Sequence, residues 1–406
     1  MIKISDKKEC CGCSACYTRC PKHCISMEED EEGFLYPRVD LNICINCGLC
    51  EYVCPCLHKG TQKKPLSTYA VKHPSEEIRL KSSSGGAFSL LAEKVIEKGG
   101  VVFAAKFDEQ WNVVHGSADH LDELDAFRMS KYVQSRIGET FQQAENFFKI
   151  GRIVLFVGTP CQIHGLKLFL RKEYDNLLAV DFVCHGVPSP KVWRHYLEKI
   201  VASATKKHFH SSLSPSVSKQ SGLIRSIQFR NKTYGWKKSS FVLHFNFTGP
   251  SSDSEKNPVS SSAIHLKPIR QTLLQNTYFR GFIHDIYLRP SCYVCCHKGF
   301  SNDSDMTLGD FWGIDKTYPK IFDNKGVTVL TINSMKGRFY YDDFSINGIE
   351  VDFNKALASN PSFYKAVEVH RFRKIFFMFY KVIPFNQLII GIQIVNKICR
   401  DFLKLK

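Results

Sequence analysis

Apolar residues recur along this chain in two rhythms, and the change comes near residue 76. Residues 1–60 carry no sustained periodicity; cysteines and turn residues punctuate them. Residues 61–75 (TQKKPLSTYAVKHPS) contain two prolines and no apolar period, and read as a linker. Beyond them, Ala87 to Lys98 repeats with helical spacing, preceded by Ser82-Ser83-Ser84-Gly85-Gly86 and stopped by Gly99-Gly100 in the manner of a C-cap. Val101 to Phe107 and Asn112 to Ala118 read as two strands around a turn at Glu109-Gln110. A helix over Glu139 to Lys149 follows. Ile153 to Val157 is a wholly apolar, β-branched run and predicts a buried strand. Thr159 can cap, and Pro160 can occupy the first turn of, the helix after it. Leu177 to Val183 is another such strand, and Ser189-Pro190 opens another helix.

Strand–helix–strand alternation predicts βαβ units and a partly parallel sheet. Ile224 to Arg230 and Phe241 to Phe247 alternate apolar with polar, and Val327 to Asn333 is one more strand. Residues 203–221 read as a Ser- and Lys-rich loop, and 249–262 (GPSSDSEKNPVSSS) as a disordered insertion. The expected organisation is an α+β module over 1–60, the linker 61–75, an α/β body with a mixed, partly parallel sheet over 76–345, and a helical basic tail over 346–406.

Cysteine content changes this picture most. There are 17, eleven of them between Cys10 and Cys56. The chain opens on a charged stretch, Met1 to Glu9, with no apolar signal segment, which sets a cytoplasmic expectation. Disulfides are rare in that compartment, so metal or redox chemistry is the reading. Cys10-x2-Cys13-x2-Cys16-x3-Cys20-Pro21 is followed by Cys44-x2-Cys47-x2-Cys50-x3-Cys54-Pro55. This doubled spacing is that of two-cluster 4Fe-4S ferredoxins, in which the cysteine before proline serves the other cluster. Cys10, Cys13, Cys16 and Cys54 are therefore expected on one cubane, and Cys44, Cys47, Cys50 and Cys20 on the other. A zinc knuckle would want two CxxC pairs instead. Cys11, Cys24 and Cys56 fall outside the pattern and read as small buried residues.

The formal charge is +16, although residues 1–60 hold nine acids against seven basic residues. A basic body joined to an acidic module calls for an acidic partner or substrate. No nucleic-acid-binding motif accompanies the charge, so nucleic acid is set aside. Residues 365–406 hold nine Lys or Arg against two acids, around an apolar stretch from Ile375 to Val395 interrupted by Pro384. It lacks the clean run of a spanning helix. Two helices split at Pro384 would either pack on the body or lie on an acidic membrane surface as a peripheral contact.

Further motifs follow in order: Ser-Ser-Gly-Gly (83–86), Ser-Lys-Tyr-Val-Gln-Ser (130–135), Gly-Thr-Pro-Cys-Gln (158–162), Asp-Phe-Val-Cys-His-Gly-Val-Pro-Ser-Pro (181–190), Cys-Tyr-Val-Cys (292–295) and Asp-Met-Thr-Leu-Gly-Asp-Phe-Trp-Gly (305–313). Together they resemble the coenzyme F420 hydrogenase/dehydrogenase beta subunit family over about residues 1 to 340. The resemblance implies an iron–sulfur flavoprotein oxidoreductase carrying FAD. Such a protein passes electrons between clusters and flavin to or from a redox partner protein, a ferredoxin, or a small-molecule acceptor or donor such as the deazaflavin coenzyme. On this reading Ser83, Ser84, Gly85 and Gly86, at a helix start, suit the FAD pyrophosphate. Ser130, Lys131, Tyr132 and Gln134 offer donors and an aromatic face to the flavin.

Cys161, Cys184, Cys292 and Cys295 supply the four thiolates of a third 4Fe-4S cluster. Cys296 competes with Cys295 for one ligand position. A nucleophilic Cys161 at a helix start, or four unligated buried thiols, are the alternatives. His185 is the candidate proton donor, against an ordinary structural histidine. Asp305, Asp310 and Trp312 are expected to close over the cofactor side. A relay subunit that hands electrons to a separate enzyme is the alternative function.

Overall fold

The computed structural model describes residues 1–205, 222–246, 266–301 and 303–404. The loop expected at 203–221 lies outside them from residue 206, and so does the insertion at 249–262.

The strands are β1 (Ile25–Glu29), β2 (Leu35–Val39), β3 (Ser67–Val71), β4 (Val101–Phe107), β5 (Val113–Ala118), β6 (Val154–Gly158), β7 (Leu177–Phe182), β8 (Ile224–Asn231), β9 (Ser240–Phe245), β10 (Ile269–Thr272), β11 (Met306–Asp310), β12 (Thr328–Ile332) and β13 (Gly348–Glu350). An eight-stranded sheet in the order β13-β3-β12-β11-β7-β6-β4-β5 forms the centre of the body. β11, β7, β6 and β4 run parallel, and the flanking strands antiparallel. Its central strands are buried on both faces, which is why β6 and β7 read as unbroken apolar runs. Alternate residues serve opposite faces. Val102, Leu155, Leu178 and Met306 meet the helix Ala87–Glu97 and the tyrosines Tyr340 and Tyr341. Val101, Phe103, Phe156 and Ala179 meet Phe141, Ile163 and Phe169 of the helices Thr140–Lys149 and Pro160–Leu170.

The mixed sheet, the small cysteine-rich module and the C-terminal helices agree with the expected fold class. Three segments differ from the sequence reading. β3 lies inside the supposed linker; it pairs with β12 on one side and β13 on the other, and Pro65 and Pro74 fall just outside it, where they cost no ladder bond. β13 sits inside the supposed tail. The segment around Asp305 to Asp310 is an inner strand, β11, rather than a flap over a cofactor; its Gly309 hides the strand signal.

The N-terminal module is seated on the body. Cys11, Cys13, Ala15 and Val53 share a core cluster with the helix Pro160–Leu170. A Cβ on Gly165 of that helix would lie 2.9 Å from Cys13 Sγ, so only glycine allows this approach. The acidic run on the β1–β2 hairpin meets basic residues of the same chain. Arg194 holds Glu29 at 2.6 and 2.8 Å. Arg373 holds both carboxylate oxygens of Glu32 and donates to Leu288 O at 3.0 Å. Part of the acidic partner that the basic body calls for is thus its own N-terminal module.

Glu32→Ala would strand a guanidinium whose side chain is 12% exposed. It is expected to cost about 3 kcal/mol of the contact between tail and hairpin. Faster limited proteolysis near Arg371 would report this. Glu31→Ala is the control, because that carboxylate is 77% exposed and should leave the digestion unchanged.

Candidate functional site

Parallel α/β sheets place ligands at the carboxyl ends of their strands, where loops and helix starts converge. Cys161 lies in the first turn of the helix after β6, in a start where Thr159 N–H donates to Gln162 Oε1 at 2.9 Å. Cys184 lies two residues beyond β7. Cys292 and Cys295 come from the single turn Pro290–Val294 and its C-cap. The four thiols face one cavity of about 620 Å³, together with Cys11 and Cys56 of the N-terminal module. Burial pushes the Cys184 thiol well up, and the charges of Cys292, Cys161 and Cys295 add to the shift. Cys292 is pushed up to about 12 by burial, with Cys161 and Cys295 contributing. Cys295 is raised by burial and then by Cys161. Every pair among the four is therefore close enough to interact.

Cys161 goes the other way, to about 6, chiefly because the Cys11 thiol hydrogen-bonds to it. His297 is opposed by burial, yet hydrogen bonds with Cys296 and Cys56 raise it to about 11. Cys11 and Cys56, read from sequence as small buried residues, thus join the Cys161 group to the N-terminal loops.

In the N-terminal module the sulfurs also group. Burial raises Cys10 and Cys16, and the charge at Cys13 raises both further. At Cys54 a hydrogen bond with Cys56 leads, then burial, then Cys13. Cys20, Cys44, Cys47 and Cys50 line a separate small cavity, and Cys47 is exposed. Cys20 thus lies with the second run, as crossed ligation requires. A tetrahedral zinc with bonds of 2.3 Å needs its sulfurs about 3.8 Å apart. Among the described residues the only set of three or more metal-type donors gathered within 4.8 Å is the exposed Asp119, His120 and Glu123. No three cysteine sulfurs among the described residues lie that close, so none of the groups is drawn in to the spacing of a single tetrahedral zinc.

Arg289 ties the two groups together. It is fully buried and precedes the Cys292 turn. It donates to Cys10 O at 2.7 Å, Leu35 O at 2.8 Å and Gln134 Oε1 at 3.0 Å, reaches Cys10 Sγ at 3.5 Å, and lies 4.4 Å over the Tyr36 ring. A cation and donor at a ligand sulfur favours the reduced cluster. Arg289→Gln is therefore expected to lower the midpoint potential of the Cys10-group cluster in an EPR-monitored titration. The Cys44-group cluster should be unmoved.

The residues expected at a flavin divide. Ser83 Oγ accepts from Ser130 N–H at 2.6 Å, and Lys131 Nζ donates to Arg128 O at 2.9 Å. Tyr132 OH accepts from Arg230 Nη1 at 3.2 Å. Gln134 is elsewhere: its Nε2 donates to Cys11 O at 3.0 Å, so it braces the N-terminal loop and does not belong to the serine–glycine group. Gly85 is also not a free phosphate donor, because its N–H donates to Thr328 Oγ1 at 2.9 Å and a Cβ would meet Val71 O at 2.3 Å. Backbone packing against β3 explains that glycine. Gly86, at φ +89°, opens the helix Ala87–Glu97, and no side chain caps its first turn.

Two residues missed in the sequence, Lys232 and Arg230, complete the neighbourhood. Lys232 Nζ donates to Arg79 O and Ser84 O at 2.6 Å and to Lys325 O at 2.7 Å, so its three N–H groups are taken by carbonyls and it braces the Ser84 backbone. Arg230 pairs with Asp310 at 2.9 Å and lies over the Trp312 ring. Arg230 Nη2 and Asp310 Oδ1 are buried without hydrogen-bond partners, and burial alone brings Lys131 to about 7. Burial likewise leads in lowering Lys232 to about 7. Uncapped amides, the Lys131 and Arg230 side chains and the orphaned polar atoms would suit an anionic cofactor with a hydrogen-bonding ring. Asp310 ends β11 opposite Thr328 of β12, on the same sheet edge as Cys161 and Cys184.

His185 lines the 620 Å³ cavity, but both ring nitrogens are engaged, Nε2 with Asp285 at 2.6 Å and Nδ1 with Ser362 at 3.0 Å. Both nitrogens are thus held by side chains of this chain, Asp285 and Ser362.

These features define an iron–sulfur protein in which a two-cluster ferredoxin module is docked against a thiol-lined edge of an α/β body. The chain belongs to the coenzyme F420 hydrogenase/dehydrogenase beta subunit family, whose C-terminal region matches residues 151–352, and residues 9–57 are a 4Fe-4S dicluster domain. It is 23% identical over 248 residues to a coenzyme F420-dependent sulfite reductase of Methanocaldococcus jannaschii, covering 60% of this chain and 37% of that one. The chain thus spans little more than a third of that relative. It is 40% identical over 52 residues to an uncharacterised ferredoxin of the same organism, covering 13% of this chain and 66% of that one. The F420-reducing NiFe hydrogenase complex from Methanosarcina barkeri, solved as a xenon derivative, superposes with TM-score 0.42 and 15% identity over 70% of this chain and 79% of that one.

Proposed function

We propose that the chain is an iron–sulfur flavoprotein oxidoreductase. Electrons enter at the exposed Cys47 end, from a redox partner protein or ferredoxin. Cys20, Cys44, Cys47 and Cys50 would hold one 4Fe-4S cluster, Cys10, Cys13, Cys16 and Cys54 a second, and Cys161, Cys184, Cys292 and Cys295 a third, and such clusters would supply one-electron transfer between that end and the body. FAD, when bound, exchanges single electrons for a pair. What carries this reading is the grouping of Cys161, Cys184, Cys292 and Cys295 in one cavity beside the Cys10 loop, on the sheet edge that also holds Ser83 to Gly86. The chain's own residues hold the modules at fixed separation through Arg289 and Gln134, and Ser83, Ser130, Lys131 and Arg230 bind and orient the phosphate-bearing cofactor, with Lys232 holding the Ser84 carbonyl in place.

Anaerobic purification with iron, sulfide and flavin analysis tests this, followed by screening of small-molecule acceptors and donors, a deazaflavin-type coenzyme first. Clusters and flavin without turnover of any small molecule would favour the relay subunit.

Lys131 adds a pH signature. Burial alone brings it to about 7 without ligand, and a bound pyrophosphate would raise it, so binding takes up a proton. Flavin affinity is strongest below that value and should fall as pH rises through 7, by up to about tenfold per unit. Fluorescence titration of the deflavinated protein from pH 6 to 9 measures this, and a flat profile would remove Lys131 from the site.

A further inference from the structure

The C-terminal helix Phe385–Lys404 has two apolar faces, and the body uses one of them. Phe385, Leu388, Ile389 and Ile392 are buried in a core cluster with Tyr196 and Tyr287. On the opposite side Ile390, Ile394 and Ile398, spaced i, i+4 and i+8, are 40%, 54% and 57% exposed. The turn before this helix adds Val382 at 80% and the preceding helix Met378 at 68% exposure. Isolated apolar residues on a surface need no explanation, but a continuous row of them marks a contact.

The charge around this row is predominantly positive, with Asp401, three residues beyond Ile398 on the same helix, as an exposed acid beside it. Between Arg371 and Arg400 there is no Asp or Glu. Arg373 is taken by Glu32, and Arg371, Lys374, Lys381, Lys397 and Arg400 are exposed. No helix among the described residues is long and apolar enough to cross a membrane. An exposed apolar row with flanking cations is the pattern of a helix lying flat at an interface, with apolar side chains among acyl chains and cations at anionic headgroups. A second copy fits worse, since face-to-face pairing would bring ten like charges together.

We propose that this outer face docks the protein on an anionic membrane surface. The surface is independent of the cofactors. The inner face fixes the helix to the body, so binding brings the redox centres to the membrane without inserting the chain.

The test is co-sedimentation of the full chain with vesicles of phosphatidylcholine alone or with about a third phosphatidylserine, at low and high salt. The wild type is expected to sediment with the anionic vesicles at low salt only. Ile394→Glu with Ile398→Glu should abolish sedimentation, and Lys381→Gln with Lys397→Gln should weaken it by about tenfold or more. Iron content and gel-filtration volume of each variant, unchanged from wild type, establish that the body is intact. Wild type that stays in the supernatant with anionic vesicles overturns the proposal. So does sedimentation unaffected by the double glutamate variant. A wild-type dimer that this variant dissolves, without vesicle binding, would assign the face to a second copy.

Discussion

Cys184→Ala combined with Cys292→Ala is expected to lower the iron content from about twelve to about eight atoms per chain, at four per cubane, with the two ferredoxin clusters retained. The pair is chosen because Cys184 and Cys292 have no neighbouring cysteine at the adjacent position, whereas Cys296 follows Cys295 and could take its place. Both thiols face the cavity shared with Cys161 and Cys295, and both are pushed up in pKa by burial, a state that iron ligation would relieve. The ferredoxin ligands lie on other loops, so their signals should survive. Electron transfer from the module to the body should be lost, read as reduced clusters that no longer reoxidise with a flavin-accepting oxidant. A wild-type content near eight with intact folding would remove the third cluster, and Cys161, brought to about 6 by Cys11, would become the more interesting thiol.

Ser130→Asp is expected to abolish flavin binding while the iron content stays at the wild-type value. Ser130 is half-buried beside Ser83, close to the uncapped first turn behind Gly86. A carboxylate there meets pyrophosphate with like charge and also neutralises the field of Lys131, which follows it in sequence. Substitution at Gly86 would be a poorer probe, because φ is +89° and a Cβ would lie 2.9 Å from that of His73, so loss of flavin could follow from loss of local structure. Ser130→Ala controls for the hydroxyl. It removes the contact with Ser83 without adding charge, and a several-fold loss of affinity is expected. Full flavin occupancy in Ser130→Asp would place the cofactor elsewhere.

The doubled cysteine run, the buried strands β6 and β7 and the helix start at Thr159-Pro160 were legible because each rests on local spacing. Ligand geometry at a tight loop fixes which cysteines share a cluster, and burial on both faces forces an unbroken apolar run. A few residues decide each, and those residues are adjacent. Cys161, Cys184, Cys292 and Cys295 were legible only as leftover thiols. Their sequence separations reach 134 residues, and their meeting depends on β6 and β7 ending at one edge of the sheet.

Tertiary structure alone decided the rest. Arg289 gives no local sign of its place, yet it is buried between the modules because its acceptors are carbonyls at Cys10 and Leu35, some 250 residues or more away. Lys232, Arg230 and Asp310 come to Ser84 and Tyr132 through strand order, which no periodicity states. β3 has too few residues and too polar a setting to announce itself, and becomes a strand because β12 and β13 supply hydrogen-bond partners on both sides. Gly85 looked like a phosphate glycine and proved to be a packing glycine, since close approach to Val71 O forbids a side chain whatever binds nearby. Local chemistry fixed which groups are able to bind metal; chain topology fixed which of them meet, because contacts between distant segments are selected by the packing of the whole sheet and not by the residues themselves.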